Sequence, residues 1–300
     1  MEREPRLMCV LAHPDDESLA LGGTLAMYAA AGVETSLVMA TRGERGWTGE
    51  AGAYPGPRAL GRTREAELRG AARALGIRDL VFLDEIDGEL DQADPRAVIA
   101  RVVAEIRRFR PDVVVTFGPD GVYGHPDHVA ISQLTTAAIV CAADTAYEGE
   151  GERRPHRVDK LYYRIWTAGE RAVYEAVFGD VAIDVAGTRR AWVAWPDWLV
   201  TTQFDAADSW STVREAVSCH RSQLGNGEAF AGMSAANHRR LWGPQQFYRA
   251  MSAVAVGAGM EDDLFAGLDS QPRLRRLRAT GSDGTFDADG ASLGRQESAA

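Results

Sequence analysis

One imidazole and three carboxylates fall within five positions, His13-Pro14-Asp15-Asp16-Glu17, where a short apolar run over 7–12 stops. Carboxylates this close repel one another unless a proton or a cation sits among them. Histidine nitrogen together with aspartate oxygen is a suitable donor set for zinc. A plainer reading competes, because an Asp or Ser before a helix is often only an N-cap and acidic groups suit the positive end of the helix dipole. Capping uses one side chain, however, and leaves the other charges unrelieved. A second cluster follows the apolar run 113–117, reading Gly118-Pro119-Asp120-Gly121-Val122-Tyr123-Gly124-His125-Pro126-Asp127-His128. A lone His-x-x-His on a surface is weak evidence of a metal. Two His-Pro-Asp segments, each between an apolar run and a helical pattern, make a shared metal centre the leading reading. The histidines of the second segment can point at one centre or act separately.

The elements that must position these residues alternate along the chain. Strands are predicted over 7–12, 33–41, 80–83, 113–117 and 160–167, and helices over 18–31, 62–76, 95–110 and 126–143. That alternation predicts an α/β fold with a Rossmann-like, mostly parallel sheet flanked by helices. Open sheets of this kind bind ligands outside the carboxyl ends of their strands, where both clusters fall. The Gly- and Pro-rich stretch 47–57 leaves the same edge and is expected to cover a substrate, against the alternative of a plain connector. No Gly-x-Gly-x-x-Gly follows either early strand, so a dinucleotide cofactor is unsupported. Beyond the core (7–170) comes a smaller C-terminal appended region (171–268), with strands expected over 181–185 and 191–204 and a helix over 209–224. Residues 1–268 are expected to form one domain. Trp192, Trp195 and Trp198 recur every third residue and read as packing or a subunit contact, with sugar stacking as the alternative. From 269 to 300 the composition turns to Ser, Gly, Asp and Arg, which predicts a disordered tail.

Composition narrows the partners. The 300 residues carry a net charge of −10, and Lys160 is the single lysine. An acidic surface argues against nucleic acid or an anionic membrane as the main partner. Cys9, Cys141 and Cys219 are far apart, in no metal or redox spacing, and read as small buried residues in a reducing compartment. The first strand begins by Leu7, leaving no room for a signal peptide, and no run approaches the ~18 apolar residues of a membrane span. A cytoplasmic location is expected.

The pair AHPDDE (12–17) and HPDH (125–128) resembles the LmbE-like, or PIG-L, family of zinc-dependent N-acetylglucosaminyl deacetylases. Residues 41–46 (TRGERG) are similar to the family's T-x-G-E-x-G, and Arg64 with Glu67 to its R-x-x-E. More weakly, 219–223 (CHRSQ) is similar to H-x-S-Q and 263–268 to the closing segment. The resemblance implies hydrolysis of an N-acyl group, usually acetyl from a glucosamine unit of a small molecule or glycoconjugate. It implies one zinc ion per chain on His13, Asp16 and His128, although iron or cobalt can occupy similar ligands. Asp15 would be the general base. His125 would stabilise the oxyanion, with Asp127 setting its orientation or charge and Tyr123 reaching the same oxygen. Arg64 would touch substrate. His220 reads from the sequence as orienting a backbone or neighbouring side chain, and the H-x-S-Q resemblance offers it a direct role as the alternative. The implied partner is a small N-acetylated sugar, and a homo-oligomer is compatible with all of this. Two alternatives remain in the same family, an amidase of a bulkier pseudo-sugar thiol conjugate and a non-catalytic sugar- or metal-binding relative. The second would be expected to have lost Asp15 or His125, and both are present.

Overall fold

In the computed structural model the described residues are 4–268, apart from 149–152, 180–181, 186, 225–229, 231 and 258. The expected tail, 269–300, lies outside them. Five strands, β1 (Arg6–Leu11), β2 (Glu34–Thr41), β3 (Asp79–Glu85), β4 (Val113–Phe117) and β5 (Lys160–Arg164), run parallel in the order β3-β2-β1-β4-β5. Leu7 through Ala12 are wholly buried, as a strand covered on both faces by helices must be. The covering helices include α1 (Asp16–Ala30), α2 (Pro57–Leu75) and α3 (Pro95–Phe109). A single helical turn α4 (Gly121–Gly124) and helix α5 (Pro126–Ala143) follow β4. The chain builds outward from β1 to β3, then crosses back to place β4 on the other side of β1. The crevice at the ends of β1 and β4 is therefore the topological switch point, the place where such sheets bind ligands.

The appended region joins the same sheet. It contains α6 (Ala168–Phe178), a hairpin of β6 (Ile183–Val185) and β7 (Thr188–Arg190), β8 (Thr202–Asp205), α7 (Trp210–Val217), α8 (Ala235–Trp242) and β9 (Pro244–Ser252). Strand β9 pairs antiparallel with β5, and β8 antiparallel with β9, giving seven strands. Lys160 lies buried here, its Nζ donating to Glu261 Oε1 at 2.7 Å. Tyr162 and Thr202 donate their hydroxyls to Glu261 Oε2 at 2.7 and 2.8 Å, so one carboxylate ties β5 to β8.

Several expectations need correction. The strand expected over 191–204 exists only as β8, because Pro196 and a 3-10 turn at Asp197–Leu199 break the run. The helix expected over 209–224 stops at Val217, and the strand over 160–167 stops at Arg164. The sequence reading did not anticipate α6, α8 or β9. Of the three tryptophans, Trp192 packs against Trp166 and Tyr174, and Trp195 against Tyr248, while Trp198 is 79% exposed. Packing therefore accounts for two of them. Among the described residues no helix is long and apolar enough to cross a membrane.

Candidate active site

The chain turns sharply where β1 ends. Asp15 is the N-cap of α1, yet its own side chain makes no capping bond; Glu17 instead accepts the Asp15 main-chain N–H, so capping accounts for Glu17 and not for Asp15. Its backbone stands at φ 113°, a region that costs a non-glycine residue about 1–3 kcal/mol. That turn sends adjacent aspartates in different directions. Asp16 points toward the histidines, with Oδ2 accepting the His13 main-chain N–H at 2.7 Å. Asp15 points toward α2, where Arg64 Nη2 lies 3.1 Å from its Oδ2.

The structure brings His13, Asp16 and His128 together. His13 Nδ1 is 3.2 Å from His128 Nε2, His128 Nε2 is 3.5 Å from Asp16 Oδ1, and His13 Nδ1 is 3.9 Å from Asp16 Oδ2. A tetrahedral zinc site with bonds of about 2.0–2.1 Å sets its donors roughly 3.3 Å apart; the two histidine nitrogens meet that spacing, while the two Asp16 distances run to different oxygens of its carboxylate. The charge balance agrees. Burial pushes the Asp16 carboxyl up to about 7, against the pull of His13, and a cation beside it would keep it ionised. Among the described residues, three donor atoms lie within 4.8 Å of one another for His13, His125 and His128 and for His13, Asp87 and Asp127.

The far side of His13 is held by carboxylates. Its Nε2 lies 3.1 Å from Asp127 Oδ2 and 3.1 Å from Asp87 Oδ1. Burial opposes charge on this ring, but the bonds to Asp127 and Asp87 outweigh it and raise its pKa to about 10. Carboxylates on the outer nitrogen orient a ligating histidine and fix which nitrogen faces the metal, here Nδ1. Asp127 is fully buried and also accepts the N–H groups of Gly88 at 2.7 Å and Leu90 at 3.1 Å. Its carboxylate thus serves His13 directly. Toward His125 it offers its main-chain N–H, 3.1 Å from Nδ1, together with the field of its charge. Asp87 escaped the sequence reading. The available signal was an Asp-Gly pair just past the third parallel strand, at the edge that carries both motifs.

His125 is poised as a donor. Because Nδ1 accepts the Asp127 N–H, a neutral ring carries its proton on Nε2. Burial, then the charge of His13, pushes its pKa down to about 4, so the neutral form prevails near pH 7. Tyr123 packs beside both histidines, its ring centre 5.9 Å from that of His125 and 5.3 Å from that of His128. Burial pushes its phenol well above the ordinary value, keeping the O–H a donor. The preceding Val122 has φ 69° and ψ −61°, and its carbonyl accepts the Val193 N–H at 2.9 Å. The stretch after β7 therefore pins the turn that carries Tyr123.

Arg64, expected at the substrate, is 3% exposed and committed within the chain. Nη1 donates to the Gly43 carbonyl at 2.8 Å, and Nη2 to the Pro14 carbonyl and Asp15. The TRGERG segment takes its meaning from this contact. A Cβ on Gly43 would fall 2.1 Å from Arg64 Nη1, and one on Gly46 2.6 Å from it. His220, Ser222 and Gln223 reach Glu17, Glu67 and the Gly46 carbonyl at 2.7–2.8 Å, so CHRSQ fastens the appended region to the first-motif helix, α2 and the glycine loop.

Comparisons with known proteins bear on the family and the fold. A family profile described as PIG-L: GlcNAc-PI de-N-acetylase matches residues 8–139. A 1D-myo-inositol 2-acetamido-2-deoxy-alpha-D-glucopyranoside deacetylase of Kineococcus radiotolerans is 36% identical over 307 residues, covering 89% of this chain and 84% of that protein. Among solved structures, GalB, the 4-carboxy-2-hydroxymuconate hydratase of Pseudomonas putida, matches with a TM-score of 0.61 at 18% identity, covering 84% of this chain and 99% of its own. The N,N'-diacetylchitobiose deacetylase of Pyrococcus horikoshii gives 0.59 at 20% identity, covering 81% and 83%. A hydratase and a deacetylase fit equally well, so the shared fold leaves the reaction open. The sequence relative and the donor set bear on the reaction.

Proposed function

This chain belongs to the PIG-L family, and from that premise we propose that it removes the N-acetyl group from a GlcNAc-containing small molecule, with one zinc ion on His13, Asp16 and His128. The observation that carries the reading is the divergence of two neighbouring carboxylates, Asp16 onto His13 and His128 and Asp15 away from them. The substrate named for the relative, 1D-myo-inositol 2-acetamido-2-deoxy-alpha-D-glucopyranoside, is the first candidate.

His13, Asp16 and His128 would hold the zinc, which when bound would supply Lewis acidity toward the amide carbonyl and the attacking water. Asp15 accepts the water proton. Burial raises the pKa of its carboxyl against the pull of Arg64, which strengthens it as a proton acceptor. His125 donates Nε2–H to the oxygen that becomes negative, and Tyr123 stands beside it as a second O–H donor. Such a preorganised donor is worth about 3 kcal/mol of barrier. Asp87 and Asp127 hold the His13 ring, and Arg64 holds Asp15 in place. Collapse of the tetrahedral adduct breaks the C–N bond, and Asp15 returns its proton to the leaving amine.

The test is amine release from zinc-loaded protein offered the GlcNAc-inositol, GlcNAc-malate, free GlcNAc and chito-oligomers. Turnover of the GlcNAc-inositol above the others is expected. Failure on every acetamido sugar, with cleavage of a bulkier amide, would move the assignment to an amidase.

A further inference from the structure

The turn at Asp15 is held from behind. With φ 113° and ψ −27° its backbone adopts a conformation that persists only where the surroundings over-determine it. The Asp15 main-chain N–H donates to Glu17 Oε2 at 3.0 Å. The other oxygen, Glu17 Oε1, accepts the Ser18 hydroxyl and lies 2.7 Å from His220 Nε2. Glu17 and Ser18 are wholly buried and His220 is 1% exposed, so water does not compete for these bonds.

His220 is itself rigidly placed. Two residues on, the Ser222 N–H and hydroxyl donate to the two oxygens of Glu67 at 2.8 and 2.7 Å. Gln223 Nε2 donates to the Gly46 carbonyl at 2.8 Å, and the Thr48 hydroxyl to the Ser222 carbonyl at 2.8 Å. The segment is thus anchored on α2 and on the loop after β2, and from there presents one ring nitrogen to Glu17. Packing alone would not require a carboxylate oxygen on the Asp15 N–H.

We infer that His220 is a positioning residue for the reaction. Through Glu17 it fixes the left-handed turn that aims the Asp15 carboxylate away from the metal donors and toward the attacking water. This rests on the assignment of Asp15 as base under the proposed function.

The experiment compares His220→Leu, which removes the donor, with His220→Gln, which returns an amide N–H near the position of Nε2. In the metal-loaded leucine variant kcat should fall about 10²-fold, as for a misplaced catalytic group, with KM and metal content close to wild type. The glutamine variant should recover most of kcat. A crystal structure of His220→Leu should show Asp15 relaxed to negative φ, a readout that needs no substrate. Unchanged kcat in the folded leucine variant, or an unchanged Asp15 φ, overturns the inference. So does loss of metal in step with activity, which would put the effect on Asp16. Should His220→Leu not fold, Glu17→Met removes the acceptor of the Asp15 N–H. Its kcat should fall with metal retained, and an unaltered kcat there overturns the inference equally. Wild-type protein inactive on every acetamido sugar would sink the functional reading and leave the Asp15 φ test standing.

Discussion

Replacing Gly43 by alanine should be far more damaging than its place in a loop suggests. Gly43 sits at φ +63°, which costs an L-residue roughly 1–2 kcal/mol. The added Cβ would lie 2.1 Å from Arg64 Nη1 and 2.3 Å from its Cζ, well inside contact distance. A long side chain usually yields at its tip, but this guanidinium is buried and bonded to the Gly43 and Pro14 carbonyls. Losing one charge-assisted bond of that kind costs about 1.5–3 kcal/mol. Together the two effects come to about 2.5–5 kcal/mol, a large share of the ~5–15 kcal/mol that holds a domain folded. Gly32 supplies the control, since at φ +82° a Cβ added there would meet nothing within 4 Å. Gly32→Ala should show the backbone cost alone. Urea unfolding of both variants gives the difference, and kcat/KM reports whether Asp15 has lost its Arg64 partner. If Gly43→Ala costs no more than Gly32→Ala and keeps wild-type kcat/KM, then Arg64 is not the anchor described.

Metal analysis should find about one divalent ion in the wild type, little in His13→Ala or His128→Ala, and a normal amount in His125→Ala, which should lose kcat instead. Equal metal loss in His125→Ala and His128→Ala would favour the three-histidine set. Asp15→Asn should retain metal while activity falls by ~10²–10⁴, whereas Asp16→Asn should bind metal poorly; the opposite pattern inverts the two roles. Acid stability should carry a contribution from Glu261. Burial raises its pKa, but the bonds from Lys160, Tyr162, Thr202 and Arg249 outweigh this and hold it below its ordinary 4.5. A depressed carboxyl stabilises the fold above its unfolded pKa and loses that contribution as pH falls through the folded value. Glu261→Gln should therefore flatten the loss of unfolding free energy as pH falls below about 4.5, and an unchanged slope would refute the linkage.

The sequence made the centre of the fold legible because the information there is local. Leu7–Ala12 and Val113–Phe117 are continuous apolar runs broken by His-Pro-Asp, and β1, β4 and both donor clusters follow from those two facts. Strand β9 was not legible. Its burial alternates only over Gln245–Phe247 before the pattern fades, and its pairing with β5 depends on contacts between distant parts of the chain. The stretch 191–201 failed for the opposite reason, since its aromatic content looks strand-like while the Trp192 and Trp195 indoles are used in packing. Arg64 could be named from its motif, but its partners could not. The direction of a helix arginine is set by where two loops bring their carbonyls, and neither Gly43 nor Pro14 announces that.

The three consecutive acids Asp15, Asp16 and Glu17 show how an ambiguous cluster acquires separate roles. Nothing in their order distinguishes them, and in water they would titrate as near equivalents. Each receives a different cation from a different part of the chain. Arg64 arrives from α2 at Asp15, His220 from the appended region at Glu17, and His13 with His128 flank Asp16. The two outer acids are thereby neutralised by the protein itself. Asp16 is the one whose carboxyl burial leaves near 7, with only histidines to answer it, and histidines are the side chains that exchange a proton for a metal most readily. The chemistry of the site is therefore decided less by the acidic motif than by the different partner that each of its members meets.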